Sequence, residues 1–159
     1  MWCEILKVFL LVCLGVAVIY DVKYRIVPHV IPIILTGVWC VAEAIQYVWG
    51  YFECALILNN PRYALVSACG LLVFLVLINA GMYVFMKHDG LGGGDIKLLT
   101  SLALYIGMQG SLWVLFFACI LFLAVVSVEK IRTHTVLVNT TSAFVPYIAI
   151  GYVLYSLFI

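Results

Sequence analysis

Long apolar runs, separated by short connections that hold most of the charges, decide what this chain can fold into. An α-helix rises 1.5 Å per residue, so roughly 20 apolar residues in a row cross the hydrocarbon core of a bilayer. Six stretches fit, at about residues 2–20, 29–50, 62–86, 95–109, 111–128 and 142–159. Only 9% of the 159 residues are charged, against about 25% in a soluble domain, which excludes a water-soluble fold. Backbone amides cannot stay unpaired in lipid, so the runs are expected to be helices. The expected fold is an all-α polytopic membrane protein with about six transmembrane helices. No polar linker, low-complexity segment or internal repeat divides the chain, so residues 1–159 read as one domain.

Two runs need comment. Residues 1–20 read as an uncleaved first span and not as a signal peptide, because Glu4 offsets Lys7 and no small-x-small site precedes Asp21. The fourth run is short and carries Ser101, Gly107 and Gln109. It is expected to be tilted, shielded by its neighbours, or joined tightly to the fifth.

The charges supply an orientation. With six spans, the connections 21–28, 87–94 and 129–141 share one side, and with their flanks they hold Lys23, Arg25, Lys87, Lys97, Lys130 and Arg132. Lys7 and Arg62 are left for the other side, a bias that marks the first face as cytoplasmic. A net charge of +1 without a dense basic patch argues against nucleic acid as a partner. Cys3, Cys13, Cys40, Cys54, Cys69 and Cys119 form no CxxC pair and read as small buried hydrophobes. Trp2, Trp49, Tyr51 and Tyr63, near run ends, read as interfacial anchors.

Asp21 closes the first run and Asp95 opens the fourth, so the chain between them crosses twice and returns, leaving both carboxylates on one face. Directly before Asp95 stand Gly92, Gly93 and Gly94. Glycine accepts positive φ and lets another backbone come close, so this segment predicts a loop made for contact with a peptide. It is not a phosphate loop, because no glycine-lysine-serine/threonine follows. Taken singly, Asp95 reads as a helix cap and Asp21 as a boundary charge paired with Lys23 or Arg25. Two acids at one membrane depth, able to meet, weigh against those readings.

The sequence resembles a known family at these points. Tyr20-Asp21-Val22-Lys23-Tyr24-Arg25-Ile26-Val27-Pro28 resembles the prepilin peptidase signature, an aspartate followed by a basic stretch and an Ile/Val-Pro-Asn. Gly92-Gly93-Gly94-Asp95-Ile96-Lys97-Leu98 resembles that family's GxGDxKL motif, and Phe144-Val145-Pro146-Tyr147 with Gly151 is similar to its proline-containing last span. The resemblance implies a GxGD membrane aspartic endopeptidase that removes leader peptides from type IV pilin-like precursors at the cytoplasmic membrane face. It implies Asp21 and Asp95 as the catalytic pair, Gly92, Gly94, Lys97 and Pro28 as supporting motif residues, a membrane-anchored prepilin-like substrate, and no metal or cofactor. His29 stands where the family has Asn, which bears on local loop geometry. The long cysteine-paired cytoplasmic segment of the N-methylating members is absent. The chain therefore resembles the short peptidases of tight-adherence pilus systems or the archaeal preflagellin peptidases, and methyl transfer is not implied. The presenilin and signal-peptide-peptidase branch shares the Tyr-Asp and GxGD pair, but its Pro-Ala-Leu motif and nine spans are missing.

A carboxylate pair of this kind shares one proton and titrates as a unit. Helix-end positions predict that Asp95, near a positive N-terminus, carries the charge and Asp21, near a negative C-terminus, the proton. Among other polar residues, Glu43 lies inside the second run at another depth, and Asp89 lacks the glycine context. Asp89 and Glu129 fall on the side where a basic leader would arrive. His29, His88 and His134 are too irregularly spaced for a metal site. The rival class is a small transporter or channel component binding a proton or cation at Asp21 and Asp95, although the chain shows no inverted repeat. A non-catalytic assembly subunit is a third reading.

Overall fold

The computed structural model describes residues 2–49, 61–86, 91–133 and 143–158, and these are helical apart from short turns. The helices are α1 (Trp2–Tyr24), α2 (Val30–Trp49), α3 (Pro61–Met86), α4 (Gly93–Thr133) and α5 (Val145–Phe158). Among the described residues, Ile5–Tyr24, Pro61–Val84 and Gly93–Val128 are long and apolar enough to cross a membrane, while Val30–Ile45 and Val145–Leu157 are shorter apolar helices. The chain is an all-α membrane protein.

α4 is not one straight rod. Gly107 has φ 73° and ψ 175°, outside any helical geometry, and this combination is essentially open only to glycine. The break falls at Gly107, one of the residues that mark the fourth run as unusual and a few positions before the fifth run begins. Contacts along α5 reveal what the break does. Phe144 and Tyr147, at the start of α5, meet Phe122. Gly151, in its middle, lies against Val114 and Ala118, and Tyr155, near its end, against Gly110. As α5 descends, its partners on α4 run backwards in sequence, so the two helices are antiparallel there and residues 108–133 climb towards the end where α5 begins. The first arm, residues 93–106, runs the opposite way, and α4 is a helical hairpin closed by one residue.

The first arm forms the core. α4 packs on α2, α3 and α5, while α1 packs on α2 and α5. Leu98, Leu99 and every residue from Ser101 through Tyr105 are buried, so this arm is enclosed on nearly all sides, as expected of a short span shielded by its neighbours. The Tyr105 hydroxyl donates to the Leu35 carbonyl of α2, which satisfies a polar group that would otherwise be costly inside an apolar core. Outer helices show the reverse pattern. Leu65, Val66, Val73, Phe74, Leu77 and Val84 of α3 are exposed, a surface suited to lipid and not to water.

The cysteines correct one expectation. Cys13 is half-buried, but Cys40, Cys69 and Cys119 are exposed, all four without disulfides. In a membrane protein a small apolar side chain gains nothing by turning inward when lipid lies outside. Tyr63 is exposed at the start of α3, as an interfacial anchor would be. Cys54 and Tyr51 lie outside the described residues, as do the side chains of Cys3, Trp2 and Trp49.

α4 and α5 touch backbone to backbone at Gly151, where an added Cβ would fall 2.6 Å from the Val114 carbonyl oxygen and 3.3 Å from the Ala118 nitrogen. Gly151→Ala must push the two helices apart, and is expected to destabilise the protein by about 1–3 kcal/mol. The drop is to be read as a lower thermal midpoint of the detergent-solubilised chain.

Candidate functional site

Asp21 does not end α1; it sits one turn before the end. The helix stops because Arg25 takes the left-handed conformation, with φ 54°, and its N–H donates to the Asp21 carbonyl at 2.8 Å. This five-to-one closure is a common helix stop, here made by a non-glycine residue. The chain then turns through buried Val27 and half-buried Pro28, whose carbonyl accepts from Ile31 N–H at 3.2 Å and opens α2. Pro28 thus serves the turn that follows Asp21.

That turn docks onto the start of α4. A Cβ at Gly94 would lie 2.7 Å from the Cβ of Val27, so the residue just before Asp95 packs on the residue six after Asp21. The two aspartate motifs are therefore in contact. Asp21 is 6% exposed and Asp95 9%, and the contact between Val27 and Gly94 holds the two turns that carry them together. Gly92, Gly93 and Gly94 do not form the positive-φ loop expected, since Gly107 alone among the described glycines has positive φ. Helix α4 already begins at Gly93, with Asp95 and Ile96 N–H both donating to the Gly92 carbonyl, at 3.0 and 3.2 Å. Gly94, and less tightly Gly92, are needed for space. A Cβ on Gly92 would sit 3.2 Å from Oδ2 of Asp95, whereas one on Gly93 would meet nothing within 4 Å. The segment is tied to α3 by Leu91 N–H, which donates to Oδ1 of Asn79 at 3.1 Å.

A third element closes the site. Val145 N–H, at the start of α5, donates to Oδ2 of Asp21 at 3.0 Å in a buried hydrogen bond. Asp21 thus caps α5 from 124 residues away. Asp95 lies at the N-terminus of α4, whereas Asp21 lies both on the last turn of α1 and at the N-terminus of α5, so the negative helix end it was expected to feel is opposed by a positive one.

Lys97 is two residues beyond Asp95, about 200° around the helix, and faces away from the pair. It lines a groove of about 700 Å³ between α2 and α3, with His29, Thr36, Thr100 and Ser101 along its walls. Glu43 is about 20 Å along α2 from His29 at helical rise, so it is not part of the site. Asp89, His88 and His134 lie outside the described residues, as does the side chain of Glu129. Among the described residues, no three His, Cys, Asp or Glu side chains gather as metal ligands would.

The residues that reasoning from sequence missed are Val27, Asn79 and Val145. Asn79 is an amide inside an apolar run, a signal that could have been used. The other two stand inside the motif stretches, Val27 before Pro28 and Val145 before Pro146, but nothing in those stretches shows what each one touches. The steric contrast among the glycines is testable: Gly94→Ala should lower stability by about 1–3 kcal/mol, because Val27 must move, and Gly93→Ala should be nearly neutral. Thermal unfolding of the two variants in one detergent checks it.

The model of the type IV leader peptidase family matches residues 8–128, a segment that contains Asp21, Asp95 and their flanking motifs and stops short of α5. No curated protein and no solved structure matches the chain. With well over half of the sequence matched, including the two helix ends that meet through Val27 and Gly94, this chain belongs to the type IV leader peptidase family.

Proposed function

We propose that this membrane peptidase is an aspartic endopeptidase that cleaves the leader peptide of membrane-anchored prepilin-like precursors, with Asp21 and Asp95 as its catalytic pair. The observation that carries this reading is the burial of two carboxylates, from helices far apart in sequence, on two motifs that touch through Val27 and Gly94. Two carboxylates in hydrogen-bond reach resist ionising together, so the proposed pair holds one proton between them.

The chemistry follows from that shared proton. The ionised member accepts a proton from water while the water oxygen bonds to the scissile carbonyl carbon. The protonated member donates to the carbonyl oxygen. When the C–N bond breaks, the leaving amine takes a proton back from the pair. No covalent intermediate and no metal is required by this route.

Lys23, Arg25 and Lys97, all exposed near the carboxylates, support a cytoplasmic orientation for this face of a cytoplasmic membrane by the positive-inside rule. Gly92, Gly94 and Pro28 serve by shaping the two turns that hold the aspartates. Lys97 serves at the adjoining groove. The transporter reading lacks the inverted repeat that such folds are built from.

Asn keeps the shape of Asp and can still accept the Val145 N–H, but it cannot share a proton. Asp21→Asn and Asp95→Asn should each reduce leader cleavage of a co-expressed pilin precursor by about 10²–10⁴-fold at unchanged membrane abundance. The double variant should be no worse than the singles, because the residues act as a unit. Wild-type cleavage in either single variant would end the reading. The wild-type rate should also follow a bell-shaped pH profile, lost at low pH when both groups are protonated and at high pH when neither is.

A further inference from the structure

The first turn of α5 has its amides almost fully committed. Tyr147 and Ile148 N–H both donate to the Phe144 carbonyl, at 3.1 and 3.3 Å. Pro146 has no N–H to give, and its ring holds φ at a helical value. The remaining donor is Val145 N–H, and it goes to Oδ2 of Asp21. The turn itself is gripped from the second arm of α4. Phe122 meets the Phe144 ring edge-on at 5.6 Å and 78°, and the Tyr147 ring at 5.4 Å and 81°. Two such edge-to-face contacts fix both the depth and the rotation of α5 at its start.

Resting on the catalytic pair proposed above, we propose that this turn is the positioning device of Asp21, with the Val145 N–H selecting the carboxylate orientation and Phe122 holding that N–H in place. A carboxylate on the last turn of α1 has two side-chain torsions to fix. A rigid backbone donor on one oxygen fixes them and leaves the other oxygen for Asp95 and the attacking water. An N–H locked in a helix costs no reorganisation during reaction, which is the advantage of a preorganised donor. The residues concerned lie at 144–147, beyond the matched segment, or at 122, outside both aspartate motifs.

A backbone donor can be deleted by proline. Val145→Pro removes the N–H at the first position of a helix, where proline is tolerated, and Phe144, outside the helix, can take the extended conformation that a following proline demands. Val145→Ala keeps the N–H and trims the side chain. Steady-state cleavage of a purified pilin precursor by the full-length chain would be compared for both. Val145→Pro is expected to lower kcat at least about tenfold with KM little changed, and Val145→Ala to retain most of kcat. Wild-type kcat in Val145→Pro, or an equal loss in Val145→Ala, would overturn the proposal.

If Val145→Pro does not accumulate in membranes, Phe122 decides. Phe122→Ala should lower kcat at unchanged KM, and Phe122→Tyr, which keeps the ring, should restore it. An unchanged kcat in Phe122→Ala would overturn the proposal. Asp21→Asn and Asp95→Asn run in the same assay separate the two levels of the argument. If they still cleave, the catalytic pair falls and this inference with it. If they are inactive while Val145→Pro is not, the positioning role alone falls.

Discussion

A backbone amide in an apolar medium must find a partner, and at the start of α5 that partner is the carboxylate of Asp21. The consequence reaches well beyond one hydrogen bond. A carboxylate buried in such surroundings is costly unless hydrogen-bonded, and an uncapped helix end in lipid is costly for the same reason. Each satisfies the other. The bond joins the last turn of α1 to the first turn of α5, and so sets where α5 enters, which side of it meets α4, and which way Asp21 faces.

The rest of the fold can be read outward from that junction. α5 descends along the second arm of α4 so closely that Gly151 touches the Val114 and Ala118 backbone. The first arm of α4 then occupies the middle of the bundle, and the single left-handed residue Gly107 lets it do so without a separate loop. An arm of 14 residues, 93–106, rises only about 21 Å, less than the roughly 30 Å of a bilayer core. Its Ser101 and Tyr105 are tolerated at depth because neighbouring helices, and not lipid, surround them. Lipid meets α3 and the outer faces of the other helices instead.

Within this frame the two aspartates are brought together by apolar and backbone contacts, not by their own attraction. Val27 sits on Gly94, Asn79 holds Leu91, and Val145 holds Asp21. Like carboxylates repel when both are charged, so a site that brings them together must be imposed by the scaffold. The glycines before Asp95 serve this end by leaving space: Gly94 for Val27, and Gly92 for the carboxylate of Asp95 itself.

Much of this was legible in the amino-acid order. The length of the apolar runs determined an all-α membrane fold, because lipid offers backbone amides no other partner, and the positions of Asp21 and Asp95 at run ends led to the expectation that both lie on one face. The flanking motifs pointed to the peptidase family. Tertiary structure alone decided what touches the pair. Val27 and Val145 stand inside motif stretches, but their roles come from a steric contact and a backbone N–H, neither of which can be read from the residue type. It also decided that the break in α4 falls at Gly107, since which glycine takes positive φ depends on how the two arms pack. Finally, it weakened the distinction that helix ends had drawn between the carboxylates, because Asp21 also caps α5, and a capping partner 124 residues distant is visible only once the chain has folded.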